Sequence, residues 1–170
     1  MNKKVSILIP CFNEEEGLPF LYEALCGQSG ICESLNEYEF EILLINDGSR
    51  DRTLDVIKCY AQADARIKYV SLSRNFGKEC AMLSGFDYVS GDCMIIMDAD
   101  LQHPPALIPE MLVYWEQGYE DVYAKRKSRG KESWLRKRFS LAYYSLLQKT
   151  SRFDILENVG DFRLLDRKCI

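Results

Sequence analysis

The stretch CMIIMDADLQHPP, residues 93–105, runs five apolar residues straight into two carboxylates, Asp98 and Asp100, and closes on the chain's single histidine and a proline pair. An apolar run without polar alternation marks a strand buried on both faces, and such strands belong to parallel sheets covered by helices on either side. Three more runs have the same character: VSILIP (5–10), FEILLIN (40–46) and IKYVSLS (67–73). Between them EEEGLPFLYEALC (14–26), RTLDVIKCYAQA (52–63) and GKECAMLSGFDYV (77–89) space their apolar residues near the helical period. Strand alternating with helix predicts an α/β fold with a mostly parallel, doubly wound sheet.

Downstream, PALIPEMLVYWEQG (105–118) reads as a helix ended by Gly118 and EDVYAKR (120–126) as a fifth strand or extended segment. GKESWLRKRFSLAYYSLLQK (130–149) reads as an amphipathic helix with Leu135, Phe139, Ala142 and Leu146 on one stripe. The polar segment GQSGICESLNEYE (27–39) is expected to be a surface excursion.

At 170 residues and 47% hydrophobic, one globular domain over 1–170 is expected. No tail composition follows GDFRLLDRKCI (160–170), so truncation at the C-terminus is expected as well. Against a whole-chain net charge of −4, the segment 125–152 carries +9 and the remainder −13. A basic face beside an acidic body suits an anionic partner such as a phosphate-bearing substrate or an anionic membrane surface. The acidic balance of the whole argues against nucleic acid. Seven scattered cysteines without a C-x-x-C and histidine pattern read as free thiols. No apolar run approaches a membrane span.

In an open parallel sheet, ligands sit at the carboxyl ends of the strands. Four polar clusters fall there: 10–15, 46–51, 73–78 and 98–103. Asp98 and Asp100 are hard oxygen donors of the kind that share magnesium or manganese with a diphosphate; equally, Asp98 caps the next helix and Asp100 is solvated. In NDGSRDRT (46–53), Asp47 and Gly48 make a turn and Ser49 or Asp51 caps the following helix, which leaves Asp47 for a base or ribose. SRNFGKE (73–79) reads as a turn into a helix N-terminus suited to phosphate, with Arg74 and Lys78 nearby. His103, set before Pro104 and Pro105, shapes a helix entry. Neither a P-loop nor the G-x-G-x-x-G of a dinucleotide fold occurs after any strand, nor the glycine-rich basic loop of a nucleotidyltransferase after the first.

Together IPCFNEEE (9–16), INDGSRDRT (45–53), SRNFGKECAMLSG (73–85), MDADLQHPP (97–105), YAKRKSRGKES (123–133) and GDFRLLDR (160–167) resemble the ordered motif set of family 2 glycosyltransferases of the GT-A fold, with polyprenyl-phosphate hexosyltransferases the most similar group. The resemblance implies hexose transfer, with inversion, from a nucleotide diphosphate sugar of the UDP-glucose or GDP-mannose type to a polyprenyl phosphate. It implies a divalent cation, Mg2+ or Mn2+, and work at the cytoplasmic face of the inner membrane. Pro10, Phe12, Glu14 and Asp47 match the nucleoside-holding positions, with Lys78 at the edge of that pocket. Asp98, Asp100 and Gln102 match the metal and diphosphate site, and Arg126 and Arg138 match arginines on the donor diphosphate and acceptor phosphate. Asp161 matches the acid assigned as base or acceptor-positioning group, and Asn46 departs from an Asp common in the family. A saccharide or other hydroxyl acceptor, a non-catalytic nucleotide-sugar-binding module and a homo-oligomer stay open.

Overall fold

The structure is a computed structural model and describes residues 2–125 and 159–170. The amphipathic helix expected at 130–149, Arg126, Arg138 and most of the basic segment lie outside the described residues. The chain divides into two compact units, one of Met1–Val122 with Asp161–Ile170 and one of Tyr123–Gly160. The first unit holds every described site residue discussed below.

Strands β1 (Lys3–Cys11), β2 (Tyr38–Asn46), β3 (Ile67–Ser71), β4 (Cys93–Ile96), β5 (Asp121–Lys125) and β6 (Val159–Asp166) form one sheet in the order β3-β2-β1-β4-β6-β5. The pairs β1–β2, β2–β3 and β1–β4 are parallel, whereas β4–β6 is antiparallel, with Ile96 opposite Arg163. The connecting helices are α1 (Leu18–Cys26), α2 (Ile31–Ser34), α3 (Thr53–Ala63), α4 (Lys78–Phe86) and α5 (Ile108–Glu116). Strand order runs one way from β1 through β2 to β3 and the other way to β4, so the topological switch lies between β1 and β4.

Both faces of β1, β2 and β4 are covered, which is why those strands do not alternate. Leu8, Leu43, Ile45, Met94 and Ile96 pack with Ala81 and Met82 of α4. Their neighbours in sequence, Ile42 and Leu44, face Leu18, Leu21 and Leu25 of α1. Fully burying such a side chain contributes about 1.5–3 kcal/mol, so this double layer fixes the strand ends that carry the site. Helix α4 lies close against the sheet at Gly85, where an added Cβ would press on Leu8 and stand 3.2 Å from Ile45 Cδ1.

The structure corrects the sequence reading of the fold at one place. The segment 27–39 is no mere surface excursion: it contains α2, buries Cys32, and its last two residues begin β2. The motif GDFRLLDR forms most of β6, a strand antiparallel to its neighbour, whose apolar residues Phe162 and Leu164 alternate with Asp161 and Arg163. All seven cysteines are free thiols. Among the described residues no helix is long and apolar enough to cross a membrane.

Candidate functional site

A cleft of about 270 Å³ opens at the carboxyl ends of the strands, beside the switch between β1 and β4. All four polar clusters contribute to it: Pro10 and Cys11 at the end of β1 with Phe12 and Glu14 beyond it, Asp47 after β2, Asn75 and Lys78 after β3, and Asp98, Ala99 and Asp100 after β4.

The first two loops are laced to each other. Asn13 N–H donates to Ser49 Oγ (3.0 Å) and Arg50 N–H to Asn13 Oδ1 (2.9 Å). Glu14 N–H donates to Thr53 Oγ1 (2.7 Å), Glu15 N–H to Asp51 Oδ2 (3.2 Å) and Arg52 N–H to Glu15 Oε2 (2.8 Å). Asp51 also accepts from Thr53 N–H at 3.0 Å, a turn bond one residue outside the N-cap position of α3, which Arg52 holds without a side-chain capping bond, so the cap expected of Ser49 or Asp51 does not form. Asn46 is buried and uses both ends of its amide, donating to Ser71 Oγ (2.9 Å) and accepting from Ser49 N–H (3.1 Å). Both ends of the amide at this position are therefore engaged by the neighbouring strand end and the turn.

Asp47 is nearly fully buried, and neither oxygen is idle. Oδ1 accepts from Phe76 N–H (2.8 Å) and Oδ2 from Gly77 N–H (3.0 Å). The sequence leaves Asp47 free and the N–H groups before α4 available to phosphate; in the fold each satisfies the other. Gly48 permits this, since at φ +62° an added Cβ would stand 2.5 Å from Asn75 N.

After β4 the chain turns sharply, with Leu101 at φ +57°. Asp98 N–H donates to His103 Nδ1 (3.1 Å), and Gln102 N–H donates to Asp100 Oδ1 (3.0 Å). The Asp98 carboxylate caps no helix; its Oδ1 lies 2.6 Å from Lys78 Nζ, which also donates to Asp161 Oδ2 at 2.6 Å. Burial alone would lower the pKa of Lys78, but hydrogen bonds and charge from Asp161 and Asp98 outweigh it and raise the value. Burial, then the charges of Asp100, Asp51 and Asp98, push the Glu14 carboxyl above its ordinary range. The buried Cys11 thiol is pushed far up for the same first reason, with Glu14 adding to it, and is no nucleophile.

The cleft wall thus holds four carboxylates, Glu14, Asp47, Asp98 and Asp100, against the single cation Lys78 among its described residues. An anionic ligand entering such a wall needs added positive charge, and oxygen donors of this kind suit Mg2+ or Mn2+. Among the described residues no three His, Cys, Asp or Glu side chains are gathered as a ready-made metal cage. Two aspartates that leave coordination positions to a ligand's own oxygens fit magnesium's habit of sharing phosphates.

The Glycosyl transferase family 2 pattern matches residues 6–170. The chain belongs to that family. It is 43% identical over 166 residues to a putative glycosyltransferase, CsbB, of Bacillus subtilis, covering 98% of this chain and 49% of that protein. It is 41% identical over 167 residues to the bactoprenol glucosyl transferase of Shigella phage SfX, covering 98% of this chain and 53% of that one. The chain therefore spans about half the length of the curated relatives it matches. Among solved structures it resembles the mannosyltransferase PcManGT of Pyrobaculum calidifontis in complex with GDP-Man and Mn2+, at TM-score 0.63 and 17% identity over 99% of this chain and 46% of that one. The fold is GT-A.

Of the positions matched to family 2 motifs, Pro10, Phe12, Glu14, Asp47, Lys78, Asp98 and Asp100 line the cleft. Asp161 joins them through Lys78. Gln102 is exposed and tied to Asp100 by its backbone, and its side chain does not line the cleft. Arg126 and Arg138 lie outside the described residues. His103 turns out to be a structural hub: it is buried, holds Asp98 N–H and stacks on Phe162. The single histidine gave no hint of that partner, because Phe162 lies 59 residues away in the sequence.

Proposed function

We propose that this family 2 chain transfers a hexose from a nucleotide diphosphate sugar, of the UDP-glucose or GDP-mannose type, to a polyprenyl phosphate at the cytoplasmic membrane face, with inversion. The observation that carries this reading is the acidic cleft at the β1–β4 switch with Asp98, Lys78 and Asp161 joined across it. Similarity to the bactoprenol glucosyl transferase supports a lipid phosphate acceptor.

In this reading Pro10, Phe12 and Glu14 hold the nucleoside and the Asp47 brace keeps the 73–77 loop against it. Asp98 and Asp100, with Gln102 beside them, hold Mg2+ or Mn2+ and the donor diphosphate. The bound cation supplies charge neutralisation for the departing nucleoside diphosphate. Arg126 and Arg138 hold the two anions, donor and acceptor, within reacting distance. A lipid phosphate, with a second pKa near about 6, is already an anionic nucleophile at pH 7. It needs orientation more than a base, which suits an Asp161 whose Oδ2 is occupied by an ammonium.

The test is sugar transfer by the full-length protein from radiolabelled UDP-glucose and GDP-mannose to undecaprenyl phosphate in vesicles, with and without Mn2+. The expected result is labelled lipid that disappears in the Asp98→Ala, Asp100→Ala double variant. Transfer to a free saccharide but not to the lipid phosphate, or donor binding with no transfer to either, would sink the proposal.

A further inference from the structure

Lys78 stands where elementary electrostatics would not put it. It is the first residue of α4, and the positive end of a helix dipole disfavours a cation. What holds it there is the pair of carboxylates at 2.6 Å each. Those carboxylates are themselves a conflict. The β4–β6 register runs from Cys93 opposite Asp166 to Ile96 opposite Arg163, and just beyond its last pair Asp98 and Asp161 converge on the same ammonium. Like charges facing each other across neighbouring strands destabilise the pair. The Lys78 ammonium between them removes the repulsion, and the His103–Phe162 stack locks the same two segments together one residue further along β6.

We propose that Lys78 is a tethered counter-ion that occupies Asp98 while the cleft lacks a metal, so that a divalent cation must displace it. Resting on the sugar-transfer reading, this makes Lys78 a positioning residue: it keeps Asp161 in place and couples metal entry to donor entry. A metal ion alone loses the Lys78 bond when it takes Asp98. With a nucleoside diphosphate present, the phosphate oxygens give the metal further ligands and the ammonium another anion. Metal and nucleotide therefore bind more tightly together than apart, and each raises the affinity of the other by the same factor.

The experiment is titration of the full chain with Mn2+, read as free-ion electron paramagnetic resonance, with and without UDP or GDP. Lys78→Met is expected to bind Mn2+ alone about tenfold more tightly than wild type, the change that about 1.4 kcal/mol makes in an equilibrium constant. The same variant is expected to lose most of the enhancement by nucleotide. Lys78→Arg, which keeps the charge, should stay near wild type. An unchanged or weaker Mn2+ affinity in Lys78→Met overturns the proposal. So does a gain that persists in Asp98→Asn, or no Mn2+ binding by either protein. None of these readouts uses sugar transfer: a wild type that shows the Mn2+ pattern yet transfers no sugar defeats only the functional reading, and intact transfer with an unresponsive Lys78→Met defeats only the counter-ion.

Discussion

The imidazole of His103 lies parallel to the ring of Phe162, with 5.1 Å between centroids and 7° between planes. Both side chains are buried, and each is flanked by a cleft carboxylate's own segment, Asp98 through its N–H and Asp161 as the preceding residue. The stack therefore sets the spacing of the two acids. Phe162→Ala removes one of the largest fully buried side chains. It is expected to cost about 3–5 kcal/mol of stability, read by urea unfolding. Phe162→Tyr, which keeps the ring, should lose far less.

Asp47→Asn tests the brace beneath the 73–77 loop. An amide has one acceptor oxygen where the carboxylate uses two, so the N–H of Phe76 or of Gly77 is left facing an NH2 group. The expected loss is about 1–3 kcal/mol in denaturant unfolding. Because Phe76, Gly77 and Lys78 follow that brace, the thermal shift given by UDP or GDP with Mn2+ should shrink as well.

The site was legible in the sequence to the extent that it follows from chain direction. Apolar runs without alternation mark parallel strands, parallel strands point their carboxyl ends one way, and the clusters after β1, β2, β3 and β4 must then meet. What escaped depends on pairings that no local pattern encodes. The antiparallel strand β6 brings Asp161 to Asp98 from 63 positions away in the sequence, and nothing in GDFRLLDR states its partner. The occupation of Asp47 by Phe76 and Gly77 is hidden for the same reason: a turn motif shows which groups are polar, not which are already satisfied. Glu41 is the clearest miss. It sits inside an apolar strand run, yet it is a buried carboxylate that receives Ser6 Oγ (2.7 Å), Ser90 N–H (2.9 Å), Ser90 Oγ (2.8 Å) and the ammonium groups of Lys4 and Lys68.

That cluster carries a pH prediction. Burial works to raise the Glu41 pKa, but the bonds from Lys68, Ser90 and Ser6 overcome it and bring it down to about 2 from an ordinary 4.5. A carboxyl whose pKa is lower folded than unfolded binds its proton more readily in the unfolded chain. Its stabilising effect is therefore complete above about 4.5 and is lost as pH falls toward about 2. Glu41→Gln should be less stable than wild type at pH 7 and lose less stability between those two values. Thermal unfolding of both proteins across that range is the measurement; parallel pH profiles would refute the assignment.

Gly48 links the turn after β2 to the loop that leads into Lys78 and α4. Its φ of +62° lies in the left-handed region, and the backbone of Arg74 and Asn75 passes directly over the place a side chain would occupy. Gly48→Ala therefore meets two penalties, the conformation and the collision, and the second cannot be relieved by rotating a side chain because its partner is backbone. The conformational part alone costs about 1–3 kcal/mol. Relief of the collision must lift residues 74–77 away from β2, which breaks the bonds from Phe76 and Gly77 to Asp47 and draws Lys78 off Asp98 and Asp161. The expected signature is a loss of stability larger than that of Asp47→Asn, accompanied by a fall in nucleotide affinity, measured by urea unfolding and by UDP or GDP titration with Mn2+. A Gly48→Ala protein that unfolds like wild type would mean that the loop reaches its place without the close approach.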